Sequence, residues 1–386
     1  MEILRDRTYL VGGAVRDLLL GREPKDLDFV VVNSSEEEML TLGFKRVGES
    51  FPVFLHQETG HEYALARREK KKDGENSHTA FSVETSGVTL EEDLSRRDLT
   101  INAMAVKLSD YEAYKDSLAL YVIDPFGGRK DLQQKKLRHV SSAFAEDPLR
   151  VLRVAKFATR YGFDVDQHTL LEMEAVVFSK ELLGLSSDRL WKELGQALSY
   201  AKPSIFFKIL DKVGAIEQLM PELHDSLNNW CVADNLGIGP ELKLALILKD
   251  ANLDDIKSLC TRLKVPILYQ ETANIVAKHY KMWPKTITSK VADLVLDTLK
   301  AIDAFRKPER VKMLRYAAEL IGGRDSHLWN CGRALEECYD ACLAVSFDDV
   351  IRDFKGKEIG FAIDELRKIE ILLYLGNERN GKIITG

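Results

Sequence analysis

The spacing of apolar residues changes partway along the chain, and that change sets the architecture. Before about residue 140, short apolar runs alternate with amphipathic stretches and with Gly or Pro turns. From about Ala145 onward, apolar residues recur at threes and fours, the period of helices with one buried face. In the first part, Thr8–Val11, Leu27–Val32, Phe44–Val47, Phe51–His56 and Tyr63–Ala66 read as strands, and Ala14–Leu20 and Glu36–Leu42 as helices. Glu69–His78 is polar with a glycine, which predicts a mobile loop. Leu99–Leu108 fits strand or helix equally, and a turn at Asp124–Gly128 leads into a short helix over Arg129–Gln133.

In the second part Pro148 suits a first helical position, with Asp147 as its cap. Further helices are predicted at Thr169–Phe178, Ser187–Leu198, Pro203–Val213, Glu241–Ala251, Asp254–Leu263, Glu271–His279, Ser289–Leu299, Pro308–Leu320 and Phe361–Leu373. The fold class is therefore α+β: a head of mixed sheet and helices over residues 1–140, a helical neck over 141–200, and a helical body and tail over 201–386.

A chain of 386 residues exceeds one ordinary core, so several domains are expected. It has 45% hydrophobic and 30% charged residues and no apolar run long enough to span a membrane. The N-terminal MEILRDRTYL lacks the apolar stretch of a secretory leader. The five cysteines (Cys231, Cys260, Cys331, Cys338 and Cys342) form no CxxC pair and read as reduced thiols of a cytoplasmic protein. The formal net charge is −6, so any contact with nucleic acid must come from local basic faces.

Asp26 and Asp28 stand in KDLDFVVV at the entry of an apolar strand. Residues i and i+2 of a strand share a face, with Leu27 turned toward a core on the other. Two carboxylates so close repel unless a cation or water lies between them. Mg²⁺ takes a few carboxylates together with phosphate oxygens, the arrangement used in two-metal phosphoryl transfer. An isolated DxD is more often a solvated strand end. Here, however, GGAVRD precedes the pair by nine residues. Glycines between a strand and a helix let backbone N–H groups approach a phosphate, and Arg16 supplies a charged donor.

LVGGAVRDLLLGREPKDLDFVVV resembles the head of class II tRNA nucleotidyltransferases and of bacterial poly(A) polymerases, which share a polymerase-β-like head. The resemblance implies that Gly12, Gly13 and Arg16 meet the nucleoside triphosphate, and that Asp26 and Asp28 are catalytic metal ligands. Downstream, EEDLSRRDLTINAMAV holds Arg96, Arg97 and Asp98. On its own it reads as a charged loop, or as a ribose or phosphate donor oriented by Asp98. The same family carries RRDxTxNA here, and Arg97 matches its nucleotide-binding arginine.

In EDPLRVLRVAKFATRYGF, Asp147, Arg150 and Arg153 step along one side of a helix. A capped amphipathic helix with exposed arginines is the plain reading. Hydrogen-bond chemistry offers another. A carboxylate only accepts and a guanidinium only donates. Cytosine and adenine each present an amino donor beside a ring-nitrogen acceptor, whereas uracil and guanine present the reverse. An Asp–Arg edge thus fits C and A and sets like against like for U and G. By resemblance to the family's EDxxR motif, Asp147 and Arg150 read the base and Arg153 supports the base or the triphosphate. Lys156 stands where many relatives have a further arginine, and lacks the planar fork.

The loop between the head motifs has the length associated in the family with adding the final A. RLKVP, AFRKPERV and FKGKEI resemble the tail of the gammaproteobacterial branch, whose HD phosphohydrolase domain is not expected here, since the sole His-Asp pair is His224-Asp225. Arg306, Lys307, Arg310 and Lys312 are candidate contacts for tRNA in the tail. The expected activity is template-independent addition or repair of the tRNA 3′-CCA end from CTP and ATP, with Mg²⁺. The alternatives are a poly(A) polymerase, a CC-only enzyme or a non-catalytic tRNA-binding protein. An adjacent like-charged pair gives a mere binder no advantage.

Overall fold

A computed structural model describes residues 2–47, 53–71, 81–226, 230–235, 237–282, 291–346, 348, 350, 352 and 354–377. The chain divides into two compact units, Met1–Glu193 with Lys208–Leu219, and Leu194–Phe207 with Met220–Gly386. The predicted head and most of the predicted neck thus lie within the first unit.

The first unit runs through α1 (Glu2–Arg5), β1 (Thr8–Val11), α2 (Gly13–Leu19), β2 (Asp28–Val31), α3 (Glu36–Thr41), β3 (Lys45–Val47), β4 (Val53–Leu55) and β5 (Glu62–Leu65). It continues with β6 (Arg68–Lys71), β7 (Phe81–Glu84), α4 (Leu90–Ser95), β8 (Ala105–Lys107), α5 (Leu108–Ala113), α6 (Gly128–Gln133) and β9 (Lys136–Leu137). Then come α7 (Leu149–Tyr161), β10 (Asp164–Val165), α8 (Gln167–Phe178), α9 (Ser187–Ser199), α10 (Ser204–Lys212) and α11 (Ala215–Leu219). Both α9 and α10 cross the division between units.

Six strands form one mixed sheet in the order β3-β4-β5-β2-β1-β8. The pair β2–β5 is parallel and the other neighbours are antiparallel. The expected mixed sheet is therefore present. Alternating side chains send Val11, Val30, Val32, Ala66 and Ala105 into a core closed by Val88, Leu94 and Ala103. The register Tyr9↔Val30 and Leu10↔Phe29 places the end of β1 beside the start of β2. The Gly12-Gly13 turn and Asp28 thereby meet at one edge of the sheet. Helix α4 starts with a capping box between Thr89 and Glu92, which fixes the approach to Arg96–Asp98.

Two stretches differ from the sequence reading. Leu99–Leu108, ambiguous between strand and helix, contains a 3₁₀ turn at Thr100–Asn102, strand β8 and the first residue of α5. Glu69–Lys71, expected within a polar loop, belong to β6, which pairs with β7 from Arg68↔Glu84 to Lys71↔Phe81. Pairing satisfies the facing backbone groups of a two-stranded ribbon and leaves the others to water, so polar residues are tolerated there. The rest of that expected loop, residues 72–78, lies outside the described residues.

The second unit is helical, with α12 (Pro240–Ile247), α13 (Leu253–Arg262), α14 (Ile267–His279), α15 (Ala292–Ala301), α16 (Glu309–Gly322), α17 (His327–Leu343) and α18 (Lys357–Asn377). Helix α17 was absent from the sequence reading. Its buried seam is Cys331, Ala334, Leu335, Cys338, Tyr339 and Cys342, where cysteines act as small apolar residues at helical spacing. A Cβ on Gly332 would lie 2.9 Å from that of Ala318, so the glycine permits close contact of α17 with α16. All five cysteines are free thiols. Among the described residues, no helix is long and apolar enough to cross a membrane.

Candidate active site

Strand β1 ends at Val11, and the chain turns on Gly12 with φ +70° and ψ −125°. A side chain there is strained. The Gly12 N–H donates to the Met104 carbonyl at 3.0 Å, tying the turn to the segment before β8. The space a Cβ would fill at Gly12 is taken by the guanidinium of Arg97. At Gly13, Nη2 of Arg16 would stand 3.3 Å from a Cβ.

Asp28 is the first residue of β2, and Asp26 precedes it by two, both on the exposed side, while Leu27 is half-buried. Although Asp28 has an exposed edge, protein behind it desolvates the carboxyl and raises its pKa; Arg97 opposes this, and the charge of Asp26 adds to it. This repulsive pair of oxygen donors suits a divalent cation. Among the described residues no cluster of three or more His, Cys, Asp or Glu could complete a metal cage. Two protein carboxylates with the remaining positions left to phosphate and water is the pattern of a nucleotide-bound ion rather than a structural one.

Arg16 does not face solvent; it is 3% exposed. Its Nε donates to Asp17 Oδ1 at 2.9 Å, Nη1 donates to Asn102 Oδ1, and the guanidinium lies over Tyr161 and Phe157, at 5.0 and 5.3 Å from the ring centroids. A buried guanidinium must find acceptors, and these side chains supply them. Asp17 also accepts from Tyr161 Oη at 2.8 Å and Arg160 Nη2 at 3.1 Å, so α2 is bound to the end of α7.

Arg97 donates through Nη2 to the fully buried Asp93 at 3.2 Å, and Arg96 binds the same carboxylate at 2.7 Å. The buried Nε of Arg97 has no hydrogen-bond partner. Asp98 is buried and turned inward. Its Oδ1 accepts from the Leu99 N–H and from Asn102, and its Oδ2 accepts from Arg153 Nε at 2.8 Å and Nη2 at 2.7 Å. Burial works to raise its pKa, but Arg153, Asn102 and Arg150 together hold it at about 2.

Helix α7 begins as expected. Asp147 Oδ1 accepts from the Leu149 N–H at 3.1 Å, after which Arg150, Arg153 and Lys156 follow at spacings of three. Arg150 reaches back across the head, donating from Nη1 to the Ala143 carbonyl at 2.6 Å and from Nη2 to the Arg96 carbonyl at 2.5 Å. Asp147 pairs with Arg189 of α9, whose Nη2 lies 3.0 and 2.8 Å from its two oxygens. Lys156 is buried against Glu193 of α9 at 2.6 Å. Desolvation lowers the pKa of this lysine, and Glu193 opposes the shift.

The arrangement brings Gly12, Arg97 and Asp28 together, and links them through Asp98–Arg153 and Arg96–Arg150 to α7. Asp17, Asp93, Asn102, Arg189 and Glu193 were not singled out from sequence. Asp17 and Asn102 lie inside the two head motifs, whereas Arg189 and Glu193 look like ordinary polar positions of an amphipathic helix. In the second unit, three of the four candidate tail cations have acidic partners: Arg306 with Asp303 at 2.7 Å, and Lys307 and Arg310 with Glu271 at 3.7 and 2.5 Å.

Residues 8–138 match the family model of the poly A polymerase head domain, and residues 162–227 match that of a probable RNA and SrmB-binding site of polymerase A. A CCA-adding enzyme of Pseudomonas putida is 42% identical over 324 residues, covering 82% of this chain and 84% of its own length. A multifunctional CCA protein of Thioalkalivibrio sulfidiphilus is 36% identical over 97% of this chain and 100% of its own. In fold, the chain is similar to the Thermotoga maritima CCA-adding enzyme solved with tRNA, with a TM-score of 0.68, 22% identity, and coverage of 98% of this chain and 95% of that one. A head of this topology, two strand-entry carboxylates beside a Gly-Gly turn, and relatives alike over most of their length place this chain in the family of CCA-adding enzymes.

Proposed function

We propose that this chain adds or repairs the 3′-terminal CCA of tRNA without a nucleic-acid template, using CTP and ATP and releasing pyrophosphate. The observation that carries this reading is the join between α7 and the Arg96–Asp98 segment, whose Arg97 stands beside Gly12: Asp98 with Arg153, and the Arg96 carbonyl with Arg150. A base read on α7 is thereby held in register with a phosphate at the Gly12 turn. Positioning of this kind supplies much of the catalysis in phosphoryl transfer.

Asp26 and Asp28 would hold Mg²⁺, which when bound lowers the pKa of the tRNA 3′-hydroxyl and neutralises the leaving pyrophosphate. Arg97, whose Nη1 stands beside Gly12, binds the triphosphate or ribose. Asp93 anchors that arginine from below. Arg16 braces the Gly12-Gly13 turn between Asp17, Asn102 and the two rings. Asp147 accepts from the amino group of C or A, and Arg150 donates to the neighbouring ring nitrogen. Asp98 holds Arg153 beside them. Lys156 keeps α9 against α7. Free thiols and the absence of a spanning helix among the described residues suit a cytoplasmic site of action.

Incubation with CTP, ATP and tRNA lacking its terminal CA tests the reading. Stoichiometric pyrophosphate release that stops on chelation of divalent metal supports it. No release in the presence of Mg²⁺ contradicts it.

A further inference from the structure

Asp147 holds a hydrogen-bond donor of its own before any base arrives. Nη2 of Arg189 spans both carboxylate oxygens, at 3.0 and 2.8 Å. A guanidinium N–H is the same kind of donor as the exocyclic amino group of cytosine or adenine. Both side chains are part-exposed, at 49% and 34%, so the pair opens to solvent and separates at little cost. The helix carrying Arg189 is fixed by other means. Glu193, one turn further along α9, forms the buried pair with Lys156. Arg189 can therefore leave by a change of side-chain rotamer while α9 stays in place.

We propose that Arg189 is a built-in competitor for the base, which occupies the acceptor oxygens of Asp147 until an incoming base displaces it. The inference rests on the reading of Asp147 as the base acceptor. For C and A the exchange replaces one N–H···O bond by another and is close to balanced. Uracil and guanine offer a carbonyl at that position, so displacing Arg189 leaves the carboxylate facing another acceptor. The resident arginine thus adds one opening cost for every base, and the carboxylate it uncovers makes the selection.

The test is single-addition kinetics with the full chain, using CTP on tRNA lacking CA and ATP on tRNA lacking only the final A. In Arg189→Met the KM for both nucleotides falls by about threefold, the scale of a part-exposed ion pair that no longer has to be broken. The two fall together, because the same pair is broken for either base. Arg189→Lys, which keeps a donor without the fork, gives intermediate values and serves if the Met variant folds poorly. A raised KM with a lowered kcat would make Arg189 a support for Asp147 and overturn the proposal. So would a fall for one nucleotide alone, or no change. Failure of the unaltered chain to add either nucleotide would instead refute the proposed function.

Discussion

A Cβ placed on Gly12 would lie 2.7 Å from Nη1 of Arg97. A side chain at the turn after β1 would therefore have to displace the tip of the arginine after α4. Gly12→Ala meets both this clash and a φ of +70° that L residues rarely adopt. We expect a loss of about 1–3 kcal/mol in stability by urea denaturation. We also expect nucleotide incorporation to fall more steeply than the folded fraction, because Arg97 is displaced. An active Gly12→Ala protein would separate Arg97 from the site.

Asp28→Asn removes a carboxylate whose pKa is raised chiefly by burial and further by the like charge of Asp26. Its melting temperature should match or slightly exceed that of the unaltered chain, as relief of repulsion predicts. Incorporation should fall by about a thousandfold, the scale of losing a charge-stabilising group at a reaction centre. Thermal melts paired with an incorporation assay check both halves.

Asp98 has a folded-state pKa of about 2, below its ordinary value of 3.8. Its carboxylate contributes stability that is complete above the ordinary value and is lost as pH falls from about 4 toward 2. The full contribution is about 2 kcal/mol. Asp98→Asn should be less stable at neutral pH and lose less on acidification across that window. Urea midpoints measured from pH 6 down to the acid limit of folding read this directly.

Lys156 and Glu193 are paired with side chains 8% and 4% exposed. Removing one partner strands a charge, so Lys156→Met should lose about 3–5 kcal/mol. The double change Lys156→Met with Glu193→Leu should recover much of that loss, since a buried ion pair is often replaceable by apolar packing. A double change no better than the single one would deny that the pair is coupled.

The sequence made the head legible because its motifs combine backbone and side-chain demands. Gly12, Asp28 and Arg97 each follow from chemistry that few other residues provide, and the strands around them alternate cleanly. Helix α7 was equally readable from Asp147, Pro148 and the arginines spaced by three. The partners of these residues were not. Nothing in SDRLWKELG distinguishes Arg189, bound to Asp147, from Lys192 on the surface of the same helix, because the difference lies in how α9 packs on α7. Arg16 was correctly placed in a helix, but its burial depends on Phe157 and Tyr161, more than 140 residues away. Helix α17 escaped notice because cysteine and tyrosine, rather than leucine and valine, form much of its buried seam.

The central claim is tested most directly by offering tRNA lacking CCA, lacking CA and lacking only A, each with the four nucleoside triphosphates singly and with CTP and ATP together. The account predicts C, C and then A on the shortest substrate, A alone on the longest, no incorporation of U or G, and a halt once CCA is complete. Repeated addition of A to any RNA end, or a halt after CC in the presence of ATP, would contradict it.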